Sequence, residues 1–154
     1  LHDALPISRF VQHLVQDKQI FNSIDAYISG SIDNGLFHIV GKPAPEKTLE
    51  EAEKAIWEEL ALLTEGSIDE NELEKVKNRY ESEQIFNNLN YLNVATNLAY
   101  FELIGKAEDI NTEVEKYRSV TQEQIKRAAK QTFLPENCSV LYYKAAAKGA
   151  SHTP

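Results

Sequence analysis

The stretch SRFVQHLVQDKQIFNSIDAYISGSIDNGLFHIV, Ser8 to Val40, decides the fold. Phe10, Val11, Leu14 and Val15 recur at three-to-four spacing with Arg9, Gln12, Gln16 and Asp17 opposite, which predicts a short amphipathic helix with one buried face. The period then changes to two. Ile20, Asn22, Ile24, Ala26 and Ile28 alternate with Phe21, Ser23, Asp25, Tyr27 and Ser29, as a strand with one covered face requires. Asp33-Asn34-Gly35 follows, and because Asn-Gly accepts the left-handed dihedrals of a two-residue hairpin turn, Leu36 to Val40 is expected to return as the antiparallel partner.

Beyond this hairpin, Lys42-Pro43-Ala44-Pro45 breaks regular structure and the remainder reads as helix. Three capping boxes mark helix starts, a hydroxyl three residues ahead of Glu or Gln: Thr48 with Glu51, Ser67 with Glu70, Thr121 with Gln124. The first helix turns Leu49, Ala52, Ile56, Leu60 and Leu63 inward, keeps Trp57 at its margin and ends at Gly66. The second sets Leu73, Val76, Tyr80 and Ile85 on one face. A third, from Tyr91 to Ile104, stops at Gly105, and its stripe of Tyr91, Leu92, Leu98 and Phe101 reads as core, with a partner-facing role as the alternative. Shorter helices follow at Ile110 to Tyr117 and Gln122 to Phe133. Cys138 to Tyr143 is then a strand too apolar for an exposed edge, joining the sheet begun at Ile20. The expected class is α+β, an antiparallel sheet covered on one face by helices. Three strands are few for so many helices, so strands preceding Ser8 would complete the sheet.

Composition narrows function by exclusion. The 154 residues carry 42% hydrophobic and 26% charged side chains, ordinary for one globular domain. A formal charge of -8 disfavours a phosphate-backbone partner, and no apolar run reaches the ~20 residues of a membrane span. The single cysteine, Cys138, sits in the apolar run CSVLYY and reads as a buried, inert thiol; the compartment, periplasmic or cytoplasmic, stays open. LHDALPI, Leu1 to Ile7, translates CTACACGACGCTCTTCCGATCT, a common sequencing adapter. These residues are taken as non-native, residues 8–144 as the domain, truncated at its start, and 145–154 as a frayed tail.

Sites of chemistry are scarce. The histidines, His2, His13, His38 and His152, include no pair spaced for one metal, so His13 and His38 are read as structural or solvated. The acidic groups Glu50-Glu51, Glu58-Glu59 and Asp69-Glu70 with Glu72 read as solvated helix faces and first turns rather than paired catalytic carboxylates. No phosphate-binding or nucleophile-elbow sequence occurs. The residues alone assign no catalytic and no metal-binding side chain.

Read in order, the opening stretch, then LEEAEKAIWEEL, LEKVKNRYESEQIFNNLNYLNVATNLAYFELIG, INTEVEKYRSVTQEQIKRAA and PENCSVLYY, the chain resembles the C-terminal domain of M16 zinc metallopeptidases, the insulinase, pitrilysin and mitochondrial-processing-peptidase family, and among them the bacterial members. The resemblance covers Ser8 to Tyr143. It implies a clamshell whose N-terminal domain holds zinc through HxxEH and a distant glutamate, with the motif glutamate as general base for the attacking water. Zinc then belongs to the full-length protein and none to this segment. The partners implied are that N-terminal domain, extended peptide substrates and a second M16 subunit.

Many such C-terminal domains also contribute an arginine and a tyrosine through a pattern like LREERGLAY. Laid on LVQDKQIFN, that pattern puts Val15 at the arginine and Asn22 at the tyrosine. Asn22 is therefore the single candidate substrate-binding residue, a carboxamide able to donate to a peptide carbonyl but lacking the acidity of a phenol. The expected function is the substrate-enclosing half of a zinc metalloendopeptidase, inactive as an isolated segment. Two alternatives stand beside it: a catalytically inactive M16 homologue serving as a structural partner subunit, and an unrelated helical protein-interaction module.

Overall fold

The computed structural model describes residues 9–30, 33 and 35–144, so the expectations for residues 1–7 and 145–154 lie outside the described residues. The first helix, α1 (Phe10–Asp17), forms on the apolar stripe but is wound as a π-helix. Positions four apart stay on one line, and Phe10 and Leu14 are both fully buried. Its end is sharp. Lys18 N donates to His13 O at 2.9 Å and Ile20 N to Leu14 O at 2.8 Å, while Gln19 between them takes the left-handed φ of 51° and swings the chain into the first strand.

Strands β1 (Phe21–Ser29) and β2 (Leu36–Pro43) pair antiparallel, as the alternation predicts. Their register departs from it twice. Leu36 pairs with Ser29, so the connection runs from Gly30 to Gly35 instead of turning in two residues. At the other end Phe21 pairs with Pro43 and Ser23 with Lys42, leaving Asn22 as the extra residue of a β-bulge. The bulge breaks the alternation and brings Phe21 onto the buried face with Ile24 and Ala26. A Cβ on Gly41 would stand 2.4 Å from the Phe21 ring, so this glycine lets the ring lie flat against the β2 backbone.

Helix α2 (Leu49–Glu65) covers that face, with Ala52, Ala55, Leu60 and Leu63 in one core with Phe10, Leu14, Phe21 and Ile24. It starts on the capping box of Thr48 with Glu51 and ends at Gly66, as expected. Helix α6 (Gln122–Thr132), started by the second expected box at Thr121, adds Ala129. The third box does not form. Buried Ile68 holds the chain outside the helix, so α3 (Glu70–Asn87) is capped two residues later than expected, by Asp69, whose carboxylate accepts from Asn71 N at 3.1 Å. Leu73 and Val76 pack with Ile68. Tyr80 stacks on Tyr117 of α5 (Glu113–Arg118) at 3.6 Å between centroids, and burial with the neighbouring Tyr117 and Glu113 pushes its hydroxyl well above the usual range. Arg118 adds hydrogen bonds to Glu81, Glu74 and Asn78. Between α3 and α5 lie α4 (Tyr91–Ile104) and a 3-10 segment, Ala107–Thr112.

Three expectations fail in the second half of the chain. Ile85 is exposed. So are Tyr91, Leu92 and Leu98, because α4 rests chiefly on the 3-10 segment and its outer face meets nothing among the described residues. Among the described residues Cys138 to Tyr143 pairs with no strand and the sheet is two-stranded, and a groove separates this segment from β2. The α+β class and the helical cover stand, on a smaller sheet than the sequence suggests.

The acidic residues are not all solvated faces. Glu72 receives a bidentate pair from Arg9 at 2.8 to 3.1 Å, tying the start of α1 to α3. Glu59 is 1% exposed and accepts from His13 Nδ1 at 2.7 Å and Lys18 Nζ at 2.9 Å. Burial raises the Glu59 carboxyl, but the two hydrogen bonds and the two cationic partners outweigh it and hold the group below 4.5. A carboxyl depressed on folding stabilises above its unfolded value and loses that contribution as pH falls through the folded one. Glu59→Gln keeps one acceptor and one donor, and should cost about 1–2 kcal/mol at neutral pH. It should also flatten the acid branch of the stability curve below ~pH 4.5. Urea unfolding midpoints at the two pH values check this; a midpoint unchanged near pH 7 would show the pair to be neutral.

Candidate functional site

The two positions at which the resemblance places chemistry lie around the α1–β1 junction. Val15 is on α1 with its side chain packed on the core beside Phe10 and Leu14, so the position at which the resemblance expects an arginine holds a packing residue. Asn22 is exposed, and as the bulged residue it does not alternate with its neighbours. A bulge of this kind re-aims a side chain away from the pleat, and here it leaves one free carboxamide beside a fixed hairpin. The structure does not bring Val15 and Asn22 into one polar site. Tyr27, opposite in parity to Asn22 in the sequence reading, is a sheet residue: its ring stacks on His38 at 4.9 Å across the strands.

The two described histidines have structural partners. His13 bonds to Glu59 and His38 Nε2 lies 2.6 Å from Ser29 Oγ. The Ser29–His38 pair sits exposed on the hairpin, and no described carboxylate orients the imidazole as a triad needs. Among the described residues no three His, Cys, Asp or Glu side chains gather as a metal site would require. Among the same residues no helix is long and apolar enough to cross a membrane.

A groove opens between β2 and the segment Cys138 to Tyr142. It measures about 630 Å³, with Phe37 and Ile39 of β2 on one wall, Phe133 and Val140 on the other and Leu49, Ile56 and Trp57 of α2 beneath. Phe37 meets Phe133 edge to face at 5.0 Å across one end. At the other the Tyr142 hydroxyl donates to Glu53, and that hydrogen bond to a carboxylate pushes the tyrosine up to about 12. Sequence reasoning missed the groove because it closed the sheet with this segment; the one available signal was the shortage of strands.

Cys138 is exposed rather than buried, since its segment never enters the sheet. The native chain should therefore react fully with a disulfide reagent such as DTNB without denaturant. A thiol titrated only after unfolding would overturn that placement.

Comparison with known proteins agrees with this geometry. The sequence profile of the family described as the peptidase M16 inactive domain matches residues 5–80. A protease from Helicobacter pylori superposes with a TM-score of 0.73 at 20% identity, over 81% of this chain and 30% of that one. A provisionally assigned zinc protease from Bordetella pertussis Tohama I superposes with a TM-score of 0.72 at 18% identity, over 89% of this chain and 74% of that one. At such identities the likeness is one of fold. No curated protein sequence matches. Over residues 5–80, about half of its length, the chain matches the M16 inactive domain of a peptidase family, and the chain spans less than a third of the Helicobacter protein.

Proposed function

We propose that this chain is the non-zinc half of an M16-type zinc metalloendopeptidase, and that it encloses and orients extended peptides while a separate N-terminal domain supplies the metal. The observation that carries the proposal is the α1–β1–β2 unit inside the profile match, with Asn22 bulged outward at the position where the resemblance expects a substrate-holding tyrosine. The carboxamide can donate to a peptide carbonyl and so contribute binding. It is a poor stabiliser of an oxyanion, because it offers a neutral donor of low acidity. The strands expected before Ser8 belong to the same reading: they would extend the two-stranded sheet over the groove beside β2.

The test is made on the gene product extended upstream to the zinc domain. Cleavage of an unstructured fluorogenic peptide that stops with chelator and returns with zinc supports the proposal, and chelator-insensitive cleavage sinks it. In that protein Asn22→Ala should raise KM about 2–10-fold at unchanged kcat, the signature of a lost neutral hydrogen bond made equally in ground and transition states. Asn22→Tyr should raise kcat. An Asn22→Ala enzyme indistinguishable from the parent would remove Asn22 from the site.

A second reading has its own support, the packing of Val15 into the core where an arginine is expected. A domain without either side chain suits an inactive partner subunit that only shapes the chamber. Loss of HxxEH upstream, with peptidase activity appearing only on mixing with an active subunit, would favour it.

A further inference from the structure

Helix α4 is apolar on every side, and a helix of that kind is normally buried all round. Here its inner stripe, Val94, Asn97 and Phe101, is half-buried, and none of its residues is fully covered. The opposite stripe runs Leu92, Ala95, Thr96, Ala99, Leu103. All five are exposed, Leu92 at 73% and Leu103 at 71%, and none is charged. Tyr91, 91% exposed, and the preceding corner residues Phe86 and Leu89 widen the face at the start of the helix, and Ile104 widens it at the end. Exposed apolar side chains grouped on one helix face in this way mark an interaction surface.

The order of residues along the stripe indicates what covers it. When two copies of α4 cross antiparallel about a two-fold axis at mid-helix, Leu92 lies level with Leu103 of the other copy and Thr96 with Ala99. The stripe thus complements itself, bulky at its ends and small in the middle, as an isologous contact demands. Small residues at the centre let the backbones approach, and the leucines close over each end. Glu102, the one charged residue of the helix, lies on its flank outside the stripe, and its carboxylate accepts from Ala107 N at 3.0 Å. A chain of charge -8 repels its own copy over most of its surface, and this uncharged face is free of that repulsion.

We infer that the outer face of α4 is a homodimer interface, occupied by α4 of a second copy running antiparallel. Sedimentation velocity on the 154-residue chain over ~1 to ~100 µM should show a monomer–dimer equilibrium governed by mass action. Leu92→Glu should weaken it roughly 100-fold, by placing a charge against apolar partners. The double variant Leu92→Lys/Leu103→Glu should restore it, because antiparallel pairing sets opposite charges at both ends. Leu141→Glu, on the exposed C-terminal segment, should leave it unchanged. Far-UV circular dichroism verifies the fold of each variant, and Thr96→Glu replaces any that fails.

A monomer at every concentration overturns the inference and gives the face to another segment of a longer protein. So does a dimer insensitive to Leu92→Glu, one not restored by the double variant, or one broken by Leu141→Glu, which would assign assembly to the open groove instead.

Discussion

Glu59 sits where the elements must agree. It lies in α2, its carboxylate is sealed from solvent, and its two partners come from the far side of the core, His13 in α1 and Lys18 just past its end. A carboxylate taken out of water is costly unless its oxygens are matched, so the pairing fixes both the rotation of α1 and the point at which the chain leaves it. One residue later Gln19 turns left-handed, and then β1 begins. The bulge at Asn22, the burial of Phe21 and its contact with Gly41 all lie downstream of that fixed exit. The interaction specifies geometry more than it adds net stability, since a buried ion pair roughly balances attraction against desolvation.

What the sequence made legible was local. The hairpin strands, the caps at Thr48 and Thr121, and the stops at Gly66 and Gly105 depend on residues within a few positions of one another, and their physics is short-range. What it hid was set at a distance. Glu59 is indistinguishable in sequence from Glu58, and only partners 46 and 41 residues away make it the buried member. The bulge is equally silent, because one inserted residue in an alternating run leaves both parities plausible until the partner strand is placed. The apolar runs at Tyr91 and Cys138 signalled burial correctly as a need, but not who meets it; each finds too few partners among the described residues.

The candidate site divides along the same line. That Val15 and Asn22 replace charged and phenolic chemistry was readable by position; that Val15 belongs to the core while Asn22 is turned outward was not, because it follows from the π-helical winding and the bulge. The α1–β1 junction is thus held by packing residues, and the one side chain it turns outward is a carboxamide. Fold and chemistry are separable here at the level of single side chains.

The tie between Tyr142 and Glu53 spans 89 residues of sequence, yet most of that separation is already closed once α6 lies on α2. What remains is a tether of about ten residues, whose ends cost ~2 kcal/mol of chain entropy to hold together. Against that stands a solvent-exposed hydrogen bond and the few apolar contacts across the groove, so the balance is near even. The C-terminal segment should open and close as an independent unit while hairpin and helices stay folded, a local fluctuation well below the global unfolding free energy. Amide hydrogens of Cys138 to Tyr143 would then exchange on their own clock, and the groove beside β2 would widen and narrow with each opening rather than keep one aperture.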